Sequence, residues 1–350
     1  MPAGDRVVVM LTSPLEPEHV ERIAGAFPDR IDLIFRPDLM PAPRYVADHG
    51  DPAWRRNPAQ EREWHQLLGQ AEVFLDFPQY ESRPLLELAP KLRWVQTTSA
   101  GVGTLVQRLG LQDSHLIVTT TSGVHAQPLA EFVFAALLYH TKEIGRLKEE
   151  QRAHQWHRFA GIELAGRTMA IIGPGRIGRE IARIARAFRM RVTALGRDND
   201  PGRAESLGVD RLYSREHLPT MLAEADCLVV CAPFTPETED LLGAAEFAAL
   251  KPGAVFVNIG RGAIIDEEAL LRSLREGRIA FAALDVFREE PLPPQSPFWD
   301  LPNVLINPHS ASTVVTENAK IAELFVRNLD HYLAGEIDQM SPVLDKQRLY

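Results

Sequence analysis

The chain holds 350 residues, more than one hydrophobic core usually serves, so two domains of ~100–200 residues each are expected. Its 45% hydrophobic and 24% charged residues exclude disorder, collagen and coiled coil. A net charge of −9 is a poor electrostatic match for nucleic acid or an anionic membrane, although a local basic pocket survives an acidic total.

The first segment, Val7-Val8-Val9-Met10-Leu11, is apolar on both faces, as a buried parallel strand requires. A helix is expected over Glu16 to Phe27, then strands over Val73 to Phe77, Trp94 to Thr97 and Leu116 to Thr120, separated by helix-like segments. That alternation makes an α/β unit around a parallel sheet. The Pro- and Arg-rich stretch from Pro41 to Asn57 breaks the pattern and reads as a surface excursion. Leu129 should start the longest helix, with Phe132, Val133, Ala136, Leu137, His140 and Ile144 on one stripe. Its far end, KEIGRLKEEQRAHQ, reads as a solvated charge run with Glu–Lys and Glu–Arg pairs. A second unit follows, with strands at Thr168–Ile172, Arg191–Leu195, Leu228–Cys231, Ala254–Asn258 and Ala280–Leu284, and helices such as Arg179–Phe188 and Asp266–Glu276. A last strand, Val304–Asn307, leads into a helix over Val314–Leu333. Two doubly wound units joined by a long helix is the economical architecture.

The two cysteines, Cys227 and Cys231, share the apolar run DCLVVCAP. Along a strand they sit roughly 13 Å apart, too far for a disulfide, and read as small core hydrophobes in a reducing compartment. The start, MPAGDRVVVML, lacks a basic region followed by a long apolar one, and no stretch approaches the ~20 apolar residues of a membrane span. A cytoplasmic protein is the expectation.

Residues 170–178 read AIIGPGRIG: an apolar strand, then Gly173, Gly175 and Gly178 in G-x-G-x-x-G spacing, then a helix. The first glycine allows a tight turn, the second lets backbone approach a pyrophosphate, and the third lets helix pack on strand. Pro174 has no N–H, so the phosphate donors must come from Arg176 and Ile177. About 20 residues on, an NAD-preferring site carries Asp or Glu for the ribose hydroxyls. This chain has VTALGRD, placing Gly196 there with Arg197 beside it. The missing carboxylate and the guanidinium favour NADP(H) over NAD(H). In the competing reading Arg197 is a solvated turn residue and Asp198 does the acidic residue's work.

Three polar clusters stand at or just after C-terminal strand ends, where open α/β sheets place ligands. They are VFVNIGRGAIID with Arg261, ALDVFREEPLP with Asp285, Glu289 and Glu290, and INPHSAS with His309. With ELAGRTMAIIGPGRIG and PFTPETEDLL, these segments make the chain resemble the D-isomer-specific 2-hydroxyacid dehydrogenases, the family of glyoxylate/hydroxypyruvate reductase and phosphoglycerate dehydrogenase. The resemblance covers the C-terminal unit almost continuously. Over the first ninety residues it extends only to architecture.

The resemblance implies a Rossmann dinucleotide-binding domain over about 123–311 and a flavodoxin-like substrate domain over about 1–122 plus 312–350. The cleft between them would close over the substrate. It implies that Arg261 grips a 2-oxo acid's carboxylate and polarises its keto oxygen. His309 would be the proton donor to that oxygen, and Glu290 would pair with His309 and raise its pKa. The physics agrees: a carboxylate suits a bidentate guanidinium, and hydride arrival builds alkoxide character that a charged imidazole can protonate. Glu289 competes for the carboxylate role, and the Glu-Pro pattern decides for Glu290.

Ala100 and Gly101, in TTSAGVGTLV, would bind the substrate carboxylate through backbone amides; relatives usually carry an acid where this chain has Gly103. Pro233 in PFT, with Ile259 and Gly260, would line the cofactor side, and Asp285 would bond the carboxamide. Cys231 stands where relatives often carry His and is read as core. His125 reads as a structural cap. His115, His140, His154 and His157 make no metal spacing, so no metal is expected. Trp156 lies where relatives build a dimer interface, and a packing role is preferred for it. The reading is therefore an NAD(P)-dependent 2-oxoacid reductase acting on glyoxylate, hydroxypyruvate or a similar acid, as a homodimer. The alternative is a dinucleotide-sensing binding protein of the same superfamily, which a partner-peptide groove or long disordered tails would mark.

Overall fold

The computed structural model describes residues 6–51, 53–79, 81, 83–196 and 200–349. The chain forms two compact units, residues 1–125 with 313–350, and residues 126–312. The sequence reading had put the crossings at 122 and 311.

The first unit opens with β1 (Val7–Leu11), α1 (Pro17–Ala26) and β2 (Ile31–Phe35), then α2 (Pro58–Leu68), β3 (Val73–Leu75), α3 (Leu85–Leu88), β4 (Trp94–Gln96), α4 (Gly103–Arg108) and β5 (Ile117–Thr119). Its five strands are parallel in the order β2-β1-β3-β4-β5, the flavodoxin-like order. Two hydrophobic clusters cover the two faces, one around Met10, Trp64, Phe74 and Val95, the other around Val9, Trp94 and Phe325. β2 is absent from the sequence reading. It is an edge strand with one buried residue, so its apolar signal is half that of a central strand.

The described residues between Pro41 and Asn57 lie largely at the surface, as expected, and are tied down by local contacts. Ala47 and Asp48 are buried, and Asp48 accepts from Arg44 Nε at 2.8 Å. Arg56 lies 4.0 Å over the Trp64 ring and donates to Leu39 O at 2.9 Å. Asn57 then caps α2, its side chain accepting from Ala59 N and Gln60 N while Gln60 returns to Asn57 N, with Pro58 at the first helical position.

The second unit begins with α5 (Ala126–Thr141) and α6 (Ile144–Arg152). Here the structure corrects the expectation of one long amphipathic helix. Glu143 sits in the left-handed region at φ 51°, which ends the first helix and starts the second. Leu129, Ala130, Phe134 and Leu137 are buried on α5, so it is covered on several sides rather than along one stripe, and Ile144 is exposed. α6 is a solvated charge run, with Arg146 paired to Glu143 and Glu150.

Next come β6 (Thr168–Ile172), α7 (Arg176–Ala187), β7 (Arg191–Leu195), α8 (Pro201–Leu207), β8 (Arg211–Tyr213), α9 (Leu218–Glu224), β9 (Cys227–Val230), α10 (Ala244–Ala249), β10 (Ala254–Asn258), α11 (Glu267–Arg275), β11 (Ile279–Leu284) and β12 (Val304–Ile306). The sheet order is β12-β11-β10-β9-β6-β7-β8, all parallel. Counted within the unit this is the Rossmann order 3-2-1-4-5-6 with a seventh strand added, and it reverses between β6 and β9. β8, the other edge strand missed in the sequence, has three residues.

The chain then returns to the first unit as α12 (Glu317–Ala334), the longest helix described. Phe325 and Tyr332 of α12 stack on Trp94, each at 5.3 Å between ring centroids. Beyond it, Thr120 N–H donates to Pro342 O and Leu344 N–H to Val118 O, so the last segment covers the β5 edge.

Candidate active site

In the second unit the parallel strands deliver their chemistry at one edge, the carboxyl ends of β6, β9, β10, β11 and β12. β6 runs into the glycine cradle at the point where the strand order reverses. Gly173 has φ +98°, and a Cβ there would lie 2.6 Å from the Ala232 backbone. A Cβ on Gly178 would lie 2.6 Å from Gly173 O, so the third glycine is what lets α7 approach β6. Gly175 is different: nothing stands within 4 Å of its missing side chain. The second glycine leaves open space at the N-terminus of a 12-residue helix, whose first intrahelical bond runs from Arg179 N to Gly175 O. The N–H groups of Arg176, Ile177 and Gly178 precede that bond, as in an anion cradle. These features fit a dinucleotide's pyrophosphate.

The neighbouring strand ends close around the cradle. Cys231 donates its thiol to Gly173 O at 3.1 Å, and burial pushes both cysteine thiols up to about 12, so they pack as neutral groups. Ile259 is buried and donates its N–H to Val230 O at 3.0 Å, while a Cβ on Gly260 would meet Ala232 O at 2.9 Å. Pro233 is exposed just after β9, its carbonyl accepting from Thr238 Oγ1 at 2.9 Å. A Cβ at Gly196, after β7, would lie 2.8 Å from Leu212. Arg197 and Asp198, on which the cofactor preference turns, lie outside the described residues.

β11 leads directly into Asp285, which is buried. Its Oδ1 accepts from Asn307 Nδ2 at 2.5 Å, Ser310 N at 2.9 Å and Ala311 N at 3.0 Å, while His309 N–H donates to Asp285 O at 2.9 Å. One carboxylate oxygen thus shapes the loop that presents His309. That histidine has φ 52°, a left-handed conformation that costs of order 1 kcal/mol and is held in place by those bonds.

His309 Nδ1 lies 2.7 Å from Glu290 Oε2, and Phe287 N–H donates to Glu290 Oε1 at 2.9 Å. Burial works to raise the Glu290 carboxyl, but the bond with His309, the Phe287 N–H and the charges of His309 and Arg261 hold it below its ordinary value. Glu289, the competing acid, is exposed like Glu290, and it is Glu290 that meets His309. Arg261 follows β10, bonds Gly260 O through Nη1 at 2.7 Å and is largely buried. Burial draws its guanidinium down, opposed by the Glu290 and Asp285 carboxylates. The second unit thus gathers Arg261, Glu290, His309 and Asp285 from three strand ends. Because Nδ1 faces Glu290, Nε2 is the imidazole nitrogen left to serve a substrate oxygen.

The sequence reading missed the residues that brace this arrangement. Asn258 is fully buried, accepts from Gly260 N at 3.0 Å and donates to Arg261 O at 3.2 Å, stapling the turn that carries Arg261. Asn307, half-buried, ties the start of the His309 loop to the Asp285 carboxylate. Both stood inside motifs already singled out, and an Asn at the end of a predicted strand was the available signal.

Ala100 and Gly101 stand in the first unit, in the loop after β4. There Thr97 Oγ1 donates to Ser99 O at 2.6 Å and Thr121 N–H to Ser99 O at 3.4 Å. Gly103 has a reason of its own, since a Cβ there would lie 2.1 Å from Leu349 O. His125, directly before α5, places Nε2 3.0 Å from Glu317 Oε1. Trp156 is 93% exposed. Among the described residues no three His, Cys, Asp or Glu side chains are grouped to hold a metal ion, and no helix is long and apolar enough to cross a membrane.

Residues 134–311 match the family model described as "D-isomer specific 2-hydroxyacid dehydrogenase, NAD binding domain". A glyoxylate reductase of Aeropyrum pernix is 36% identical over 266 residues, 72% of this chain and 77% of that protein. A crystal structure of a D-isomer specific 2-hydroxyacid dehydrogenase family protein from Aeromonas salmonicida superposes with a TM-score of 0.78 at 31% identity, covering 98% of this chain and all (100%) of that one. An NADPH-dependent glyoxylate/hydroxypyruvate reductase from Sinorhizobium meliloti, solved with NADP and sulfate, has a TM-score of 0.76 at 28% identity over 99% of this chain and 100% of its own.

Proposed function

The chain belongs to the D-isomer-specific 2-hydroxyacid dehydrogenase family, and from that premise we propose that it reduces a small 2-oxo acid, glyoxylate, hydroxypyruvate or a close analogue, with NADPH preferred to NADH. The observation that carries this reading is the 2.7 Å pair between His309 and Glu290 with Arg261 beside it, on the same sheet edge as the glycine cradle. A proton donor, its carboxylate partner and a buried guanidinium are what carbonyl reduction of an anionic substrate requires.

Gly173, Gly175 and Gly178, with the N–H groups of Arg176 and Ile177, hold the dinucleotide's pyrophosphate. Pro233, Ile259 and Gly260 line its nicotinamide side, and the second oxygen of Asp285 serves the carboxamide. The bound dinucleotide supplies the hydride. Arg261 grips the substrate carboxylate with its planar fork and draws electron density from the keto oxygen. Backbone amides at Ala100 and Gly101 are further donors to that carboxylate. His309 delivers a proton from Nε2 to the oxygen as it gains negative charge, and Glu290 fixes the ring's orientation and stabilises its charged form. The sum is 2-oxo acid, NADPH and one proton giving D-2-hydroxy acid and NADP⁺.

The NADPH preference rests on Gly196 standing where an acid would repel a 2′-phosphate, and on Arg197 next to it. Free Cys227 and Cys231 suit a reducing cytoplasm. The exposed Trp156, with Ile144, Leu147 and Ile162 also exposed, supports a homodimer through this face of the second unit. The test is a panel of 2-oxo acids (glyoxylate, hydroxypyruvate, pyruvate, phenylpyruvate, 2-ketogluconate) assayed with each nucleotide. Turnover of the small acids with higher kcat/KM for NADPH is expected. A clear NADH preference removes the cofactor reading, and no turnover with any acid removes the reductase reading.

A further inference from the structure

Behind the Arg261 turn, three stretches of the second unit meet: 240–242, 261–266 and 286–290. The first two are laced by backbone, Asp240 N–H to Ala263 O at 3.0 Å, Leu242 N–H to Ile264 O at 3.2 Å and Asp266 N–H to Leu242 O at 3.0 Å. The second and third touch backbone to backbone, since a Cβ on Gly262 would lie 1.9 Å from the Phe287 carbonyl carbon and 2.2 Å from Arg288 N. Arg288 grips all three. Its N–H donates to Glu267 Oε1 at 2.6 Å, and its Nη2 donates to Asp240 Oδ1, to Ile265 O at 3.2 Å and to Ala263 O at 3.5 Å. Arg288 lies two residues before Glu290, and the carbonyls it holds lie two and four residues after Arg261.

We propose that Arg288 is a positioning residue that locks the turn carrying Arg261 to the loop carrying Glu290. The relation between the carboxylate-gripping guanidinium and the His309–Glu290 pair is then set from outside the site. The inference rests on the roles given above to Arg261, Glu290 and His309. An exposed ion pair alone contributes little, and the Arg288–Asp240 pair is half exposed on both sides. What distinguishes Arg288 is that the same nitrogen, Nη2, that meets Asp240 also reaches two carbonyls of the Arg261 turn, Ile265 O at 3.2 Å and Ala263 O at 3.5 Å, while its own backbone N–H holds Glu267. Catalytic groups need placement to within about half an ångström, and displacements near 1 Å cost up to about 10²-fold in rate.

The experiment compares wild type with Arg288→Ala, Arg288→Lys and Asp240→Asn by two readouts. The first is the ¹³C-carboxyl NMR titration of Glu290, which needs no activity. The second is steady-state reduction of glyoxylate with NADPH, resolved into kcat and KM. With Arg288→Ala, the Glu290 titration midpoint should rise by about half a pH unit or more as the carboxylate loses its hold on His309 and Phe287 N–H. In parallel kcat should fall about tenfold, with KM for NADPH nearly unchanged. Arg288→Lys and Asp240→Asn should give smaller changes in the same direction, and they serve if the alanine variant does not fold. An unmoved Glu290 midpoint with wild-type kcat, whatever happens to Tm, overturns the proposal and leaves Arg288 a surface ion pair. If the wild type reduces no 2-oxo acid yet the midpoint still rises, Arg288 retains its positioning role and the reductase reading falls alone.

Discussion

Replacing Glu317 with Gln should destabilise the first unit in a way that depends on pH. Glu317 opens α12 and is buried, its Oε1 3.0 Å from His125 Nε2 and 3.8 Å from His49 Nε2. Burial by itself would raise the carboxyl, but hydrogen bonds and charge from the two imidazoles outweigh it and bring it from 4.5 to about 2. At about 1.4 kcal/mol per pH unit, that fall corresponds to about 3 kcal/mol of stability where the carboxylate is ionised and the imidazoles are protonated. Because the folded value lies below the unfolded one, the contribution is complete above about pH 5 and is lost as pH falls towards 2. Gln keeps the volume and one carbonyl oxygen but holds no charge. Urea melts followed by tryptophan emission suit the measurement, since Trp64 and Trp94 are fully buried in the first unit while Trp156 and Trp299 are exposed. The variant should be about 3 kcal/mol less stable at pH 5–6, and the gap should shrink by about 2 kcal/mol between pH 6 and pH 3. A gap that stays constant over that range would refute the electrostatic argument and assign the loss to packing.

Other consequences are as direct. His309→Gln should lower kcat by ~10²–10⁴-fold, and near-wild-type turnover would rule out His309 as the acid. Gly175→Ala should fold normally, because its Cβ meets nothing within 4 Å, yet raise the dinucleotide Kd by about tenfold or more as the methyl enters the phosphate's approach. Gly178→Ala should instead lower stability by about 1–3 kcal/mol, its Cβ lying 2.6 Å from Gly173 O; calorimetric titration and thermal melts of the pair would expose an error in either assignment. Trp156→Ala should weaken self-association in sedimentation without lowering Tm, whereas an unchanged association constant would exclude that face from the dimer.

The glycine cradle and the polar clusters at strand ends were legible because each lies within a dozen consecutive residues. There, spacing alone dictates where a backbone turns and which strand end bears a side chain. Central strands such as β1, β6 and β10 were legible for a similar reason, since burial on both faces leaves an unbroken apolar run. Edge strands β2 and β8 hid because one side faces solvent, and the break hid because the left-handed residue there is Glu143 rather than a glycine.

By itself the sequence determined the two-unit α/β architecture and the dinucleotide cradle, and it singled out Arg261, Glu290 and His309 as candidates, all carried by local order along the chain. Only the tertiary structure decided that Glu290 comes within 2.7 Å of His309, that Asp285 shapes the loop from 22 to 26 residues away, and that Arg288 bridges to Asp240 across 48 residues. It alone put Glu317 beside His125, 192 residues earlier. Such pairings depend on how strands are ordered and how far loops reach, and no periodicity within either segment records which distant partner completes its hydrogen bonds.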